Sequence, residues 1–235
     1  MLNSDNSFVE KRKSRVLGLI PLRGGSKSIP HKNIREISGK PLAYWTCNAA
    51  AEAHGIERVY VSTEDANIKR IVGSFDLGVR VIDRPAEFAQ DDSSTESVML
   101  HFAKVVPDWD VLVTLQATSP LTAGADIDAA LAQFEHEGDD SMLTGVRVKR
   151  FFWTPEGRPL NYDYRRRPRR QDFAGSIVEN GAFYLTKRDI LLKEKDRLGG
   201  KIGIHEMPAD TMIELDEPED WDTVERMLLA RLRDK

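Results

Sequence analysis

Residues 20–34 read Ile-Pro-Leu-Arg23-Gly24-Gly25-Ser26-Lys27-Ser-Ile-Pro-His31-Lys32-Asn33-Ile, directly behind the apolar run Val-Leu-Gly-Leu-Ile of 16–20. Three cations, Arg23, Lys27 and Lys32, thus sit on a segment with little side-chain bulk. Glycines let backbone N–H groups come close to an anion, and Arg and Lys neutralise its charge. The expected ligand is a polyanion such as a nucleoside triphosphate. No Gly-Lys-Ser/Thr follows at the offset of a P-loop, and the glycine spacing is not that of a dinucleotide fingerprint.

Three further constellations carry polar chemistry. Val61-Ser-Thr-Glu64-Asp65 and Asp83-Arg84-Pro-Ala-Glu-Phe-Ala-Gln-Asp91-Asp-Ser93-Ser94-Thr95 follow strand-like runs. Arg84 is placed to meet a base carbonyl or a phosphate, and Ser93 to Thr95 either bond a ribose or base or simply cap the next helix. Leu115-Gln116-Ala-Thr118-Ser119-Pro120 also trails an apolar run. There Gln116 offers a donor and an acceptor to a base or sugar edge, or the string is no more than a turn. In Ile213-Glu214-Leu215-Asp216 the alternation puts both carboxylates on one face of an expected strand. Such a pair invites a cation, with Mg²⁺ the economical choice, unless Asp216 only caps the last helix.

The elements that must position these groups alternate. Apolar strand runs fall at 16–22, 58–62, 79–82, 110–115, 141–148 and 181–186, and helical segments at 41–54, 65–75, 95–106, 124–137 and about 218–233. That order predicts an α/β fold, a mostly parallel central sheet flanked by helices. The runs at 16–22 and 110–115 are apolar enough to be buried on both faces. Residues 151–175 break the rhythm with six aromatics, three prolines and five arginines between 165 and 170. They read as an irregular insertion: a solvated loop, an arm over an anionic substrate, or a contact with a second subunit.

Composition narrows the classes. The 235 residues carry 31% charged side chains and a net charge of −4, which disfavours a nucleic-acid binder. The single cysteine, Cys47, cannot form an internal disulfide. No run approaches the roughly 20 apolar residues of a membrane span. Residues 1–15 lack the apolar core of a secretory signal and are expected to form a flexible polar lead-in to one domain at 16–235. The expected location is cytoplasmic, with no membrane and no nucleic-acid partner.

In their order, IPLRGGSKSIPHKN, RPAEFAQDDSS, LQATSPL, RRQD with ENGAFY (Glu179 to Tyr184) and IELDEPEDW resemble the acylneuraminate cytidylyltransferases, or CMP-sialic acid synthetases, and relatives for legionaminic and pseudaminic acids. The resemblance runs from about residue 16 to 231. It implies a Rossmann-like nucleotide-diphospho-sugar transferase fold with a projecting dimerisation arm at about 149–180, and a homodimer. The implied reaction passes CMP from CTP to the anomeric hydroxyl of a nine-carbon sugar acid with Mg²⁺ and releases pyrophosphate. Carried over by position, Leu22, Arg23, Gly24, Ser26, Lys32, Asn33, Arg84, Ser93, Thr95 and Gln116 form the nucleotide set. Gln116, Thr118, Ser119, Arg170, Gln171, Asn180 and Tyr184 form the acceptor set, with Arg170 facing the acceptor's carboxylate. Glu214 and Asp216 form the metal pair, and Arg23, Lys32 and Asp216 the catalytic group. Two positions depart from the family pattern: Glu214 replaces the usual first Asp, and Thr122 stands where many relatives carry Arg. A cytidylyltransferase for 3-deoxy-octulosonate is the nearest alternative. A glycosyltransferase of similar fold fits less well, because Glu137-Gly-Asp139-Asp140 is a poor mid-chain Asp-x-Asp. None of the five histidines, His31 included, is assigned as a base.

Overall fold

Strand β1 (Val16–Pro21) is apolar along its whole length, and its neighbours in the sheet explain why. In the computed structural model, which describes residues 14–233, β1 pairs in parallel with β4 (Arg58–Thr63) on one side and β6 (Val111–Leu115) on the other. The most buried strands are thus central, and both of their faces are covered. The full order is β5-β4-β1-β6-β8-β7-β9, where β5 is Arg80–Asp83, β7 Ser141–Val148, β8 Ser176–Lys187 and β9 Ile202–Glu206. Only β8 runs against its neighbours. A two-residue hairpin, β2 (Glu36–Ile37) and β3 (Lys40–Pro41), stands apart and turns through Ser38 and Gly39, both at positive φ.

Strand alternation sorts the core into layers. Ile20, Val59, Val61, Val111 and Val113 point to the face covered by α1 (Leu42–Glu52), α2 (Ala66–Gly73) and α4 (Gly124–Glu137). Leu17, Leu19, Tyr60 and Leu112 point the other way, under α3 (Thr95–Val105) and α5 (Arg188–Glu194). A third cluster lies at one end. There Trp221, Val224 and Leu228 of α6 (Asp220–Arg233) pack on Ile29, Ile37, Leu42, Leu121 and Leu215. It joins the cationic loop to the segment carrying Glu214 and Asp216.

The six expected strands and five expected helices are all present. Four strands and helices escaped the sequence pattern: the two-residue strands β2 and β3, the seven-residue α5, and β9, an edge strand whose side chains are partly exposed. The expected strand over 213–216 is corrected. The segment is extended and alternates in burial, but it joins no sheet, and its one main-chain link is Leu215 N–H to Thr118 C=O at 2.8 Å. Between β7 and β8, residues 149–175 hold only a 3-10 turn (Tyr164–Arg166) and an isolated bridge from Trp153 to Pro159. Phe151 there packs on Tyr162 and Phe173 at 4.2 and 4.9 Å between ring centres, with Arg167 over its face. The lead-in expected at 1–15 lies outside the described residues for 1–13. Among the described residues, no helix is long and apolar enough to cross a membrane.

Candidate active site

The connection after β1 travels to β4 on one side, and later chain returns to β6 on the other, so β1 and β6 flank the topological switch point. Ligands of open α/β sheets bind at that crevice, outside the carboxyl ends of the strands. A cleft of about 280 Å³ opens there, lined by Arg23, Gly25, Ser26, Lys32 and Asn33 from the first loop. Arg84, Ser93, Thr95, Gln116 and Thr118 face them. A second lobe of about 450 Å³ shares Thr95, Gln116 and Thr118 and extends to Glu179, Tyr184, Arg197, Glu214 and Asp216. Four constellations separated by up to 184 residues therefore meet around one depression.

Local hydrogen bonds fix each wall. Leu22 N–H donates to Ser62 C=O at 2.9 Å, which prolongs the β1–β4 pairing by one residue and leaves the Leu22 side chain in the core. Beyond it, the Asn33 side-chain amide donates to Arg23 C=O at 2.9 Å and closes the loop. The Arg23 guanidinium bonds Asp91 at 3.1 Å, and Lys27 bonds the same carboxylate at 2.9 Å. Lys27 first, with Arg23 assisting, holds the Asp91 carboxyl below its ordinary range. An acid side chain thus rests against the cations that an anionic ligand would engage. Gly24 N–H donates to Glu64 at 2.6 Å, so this amide is already engaged, and a Cβ on Gly24 would lie 2.6 Å from the Asp65 carboxylate.

Arg84 is 6% exposed and is anchored by the C=O and hydroxyl of Ser62. Burial lowers its pKa, with Glu64 acting in the opposite direction. The capping reading of 93–95 is resolved residue by residue. Ser94 caps α3 by accepting from Ser97 N–H, and Ser93 closes a turn with Gln90 and Glu87. Thr95 is left facing both lobes.

Opposite the loop, Lys32 donates to Asp216 at 3.1 Å and to Leu215 C=O at 3.2 Å. Its side chain is only 15% exposed, against 55% for Asp216. Glu214 is pushed up to about 7, by burial first and then by Asp216 and Glu179, with Lys32 opposing. Gly181 has φ of +60°, and a Cβ there would come within 2.7 Å of the Glu214 carboxylate, so the glycine makes room for it.

Not all expected residues converge. Ser119 is buried and lines neither lobe. Asn180 is 1% exposed and gives its amide to the C=O and hydroxyl of Thr211 at 3.2 and 3.0 Å. Arg170 and Gln171 are exposed on the 149–175 segment and line neither lobe. Tyr184 does line the second lobe, donating its hydroxyl to Glu179, and burial together with Glu179 raises its pKa. Asn180→Ala is therefore expected to cost about 1–3 kcal/mol of stability in urea unfolding, because it strips a buried carbonyl of its partner. Binding of a nucleoside triphosphate in the first lobe should be unchanged in that variant; a loss of that affinity with normal stability would assign Asn180 to the ligand.

The sequence reading placed Glu64 in a strand-end constellation without giving it a role, and missed Glu96, Glu179 and Arg197. Glu179 stands inside the recognised ENGAFY string, but nothing in the local pattern marks Glu96 or Arg197 as site residues.

A doubly wound sheet with a cationic loop and facing carboxylates at its switch point is the architecture of the Rossmann-like nucleotidyltransferases. The cytidylyltransferase family profile matches residues 17–232, and the chain belongs to that family. N-acylneuraminate cytidylyltransferase of Oncorhynchus mykiss is 34% identical over 96% of this chain. The chain spans about half of such relatives, 55% in that case. Post-translational flagellin modification protein B of Campylobacter coli is 26% identical, over 92% of this chain and 95% of that protein. Among solved structures, a CMP:2-keto-3-deoxy-manno-octonic acid synthetase complexed with CTP shares the fold, with a TM-score of 0.71. It covers 93% of this chain and 100% of its own at 19% identity.

Proposed function

We propose that this chain transfers CMP from CTP to the anomeric hydroxyl of a nonulosonic, sialic-acid-like sugar acid and releases pyrophosphate. The observation that carries the reading is the Lys32–Asp216 contact. It joins a cationic loop suited to a triphosphate with a carboxylate pair suited to a cation, and the second lobe opens beside that junction. The acceptor class follows from the relatives named for N-acylneuraminate.

In the reaction, an acceptor oxygen forms a bond to the α-phosphorus as the bond to the pyrophosphate oxygen breaks. Little covalent work falls to the protein, whose task is alignment and charge neutralisation. Arg23 and Lys32 would offset charge on the phosphate oxygens and on the leaving pyrophosphate. Arg84, Ser93 and Thr95 would orient cytosine and ribose, and Gln116 and Thr118 would hold the junction between nucleotide and sugar.

Among the described residues, no group of three or more His, Cys, Asp and Glu is arranged as a ready metal cage. The pair Glu214–Asp216 nevertheless fits Mg²⁺, which typically takes one or two carboxylates and completes its shell with phosphate oxygens and water. The two acids raise each other's charge cost, Gly181 makes room for Glu214, and a cation between them would relieve their repulsion. Bound there, the ion would supply charge neutralisation and acidify the attacking hydroxyl.

A single domain over 16–235, a homodimer built through the 149–180 arm, with Arg170, Gln171, Ser119 and Asn180 supporting the acceptor region, and a cytoplasmic location complete the proposal. Pyrophosphate release is the direct test, with CTP, UTP, GTP and ATP each offered N-acetylneuraminic, legionaminic, pseudaminic and octulosonic acids. The expected result is release with CTP and at least one nonulosonic acid. Release with octulosonic acid alone would move the assignment to that sugar, and release with another nucleotide alone would overturn it. Light scattering gives the oligomeric state.

A further inference from the structure

The second lobe is lined by three carboxylates, Glu179, Glu214 and Asp216. Such a wall repels an incoming acid unless a cation stands within it. Among the described lining residues of that lobe there is one, Arg197, on the loop between α5 and β9. Its guanidinium is held from two sides. Glu96 of α3, 101 residues earlier in the chain, pairs with Nε, and the two side chains are 25% and 16% exposed. The Tyr184 ring of β8 lies beneath it, 4.7 Å from the guanidinium carbon to the ring centre. Tyr184 in turn is fixed by its bond to Glu179. A planar fork preorganised in this way matches a carboxylate bidentately, which a flexible ammonium does not.

Resting on the functional reading above, we propose that Arg197 receives the acceptor's carboxylate and so makes the lobe selective for sugar acids over their uncharged derivatives. Arg170, the arginine that the sequence suggested for this task, is exposed and lines neither lobe of this chain. Arg197 instead shares the lobe with Gln116 and Thr118, the residues at the junction with the nucleotide. Glu96 keeps the guanidinium from collapsing onto Glu214 and Asp216 when no acceptor is present.

The test compares N-acetylneuraminic acid with its C1 methyl ester as acceptors in steady-state pyrophosphate release. Wild type should strongly prefer the free acid. In Arg197→Met, the KM for the acid should rise by about 30-fold or more, the scale expected when a charged partner is removed from a desolvated pair. The KM for CTP should stay within a few-fold of wild type, and the acid-over-ester preference should largely vanish. Arg197→Lys, which keeps the charge but not the fork, should fall between the two and serves if the Met variant does not fold. A wild-type preference in either soluble variant overturns the assignment, as does loss of preference in Arg170→Met alone. If wild type releases no pyrophosphate with any sugar acid, the functional reading itself fails and takes this assignment with it. If wild type turns over while Arg197→Met discriminates normally, only the assignment falls.

Discussion

Lys32→Ala is expected to slow CTP-dependent pyrophosphate release by about 10²- to 10³-fold, the usual consequence of deleting one preorganised electrostatic group from a transition-state site. The structure gives this lysine a second task that enlarges the effect. Its ammonium is the polar contact between the loop after β1 and the Leu215–Asp216 segment, and without it Glu214 and Asp216 lose the loop cation that opposes their repulsion. Lys32→Met, which keeps the apolar stem, separates loss of charge from loss of packing and should be nearly as slow. The fold should survive both changes, because the third apolar cluster holds the loop and α6 together through Ile29, Leu215 and Trp221. Stopped-flow or coupled pyrophosphate assays provide the rate, and near-normal turnover in a folded variant would remove Lys32 from the mechanism.

The second large effect concerns the carboxylates. Asp216→Asn is expected to abolish Mg²⁺-dependent turnover, by about 10³-fold or more, whereas Glu214→Gln should retain a measurable part of it. The two acids differ in their surroundings. Asp216 is the more exposed and already bonds a cationic group, so its carboxylate is the one open to an ion that would also hold phosphate oxygens and water. Glu214 is more buried and packs close against Gly181, so it would hold such an ion less directly. An amide offers such a hard cation only a neutral carbonyl oxygen, a weaker donor than a carboxylate, so the loss is largest at the acid that would carry most of the ion's charge. Titration of Mg²⁺ against initial rate should show a far weaker apparent affinity for Asp216→Asn than for Glu214→Gln. Identical titrations would mean that the pair shares the ion equally, and unchanged titrations would place the metal elsewhere. Because Lys32 and Asp216 touch, their effects should not add, and the double variant should be little slower than the worse single one.

Much of this architecture is legible in the chain because periodicity is a local property. Alternating and continuous apolar runs mark the central strands, and acids, a proline and a helical apolar stripe mark α6. What failed to register did so for physical reasons. The β9 side chains are half exposed on an edge, so no hydrophobic rhythm betrays them. The stretch 213–216 alternates like a strand because Leu215 enters a core built by α6, a burial pattern that an unpaired extended segment reproduces equally well.

The residues of the cationic loop, the Gln116 turn and the Glu214/Asp216 pair could be picked out one by one, since each is a short string with its own chemistry. By itself the sequence settled the alternating α/β order and that inventory of charged groups. Folding decided who faces whom: Asp91 against Arg23, Glu64 on the Gly24 amide, Lys32 against Asp216, and Arg197 between Glu96 and Tyr184. The hydrogen-bonded and ionic pairings among them span from 40 to 184 residues along the chain, and they exist only because two sheet faces and one terminal helix bury their apolar sides together. Side-chain type is written locally, whereas the distance between two charges is set by the packing of everything that lies between them.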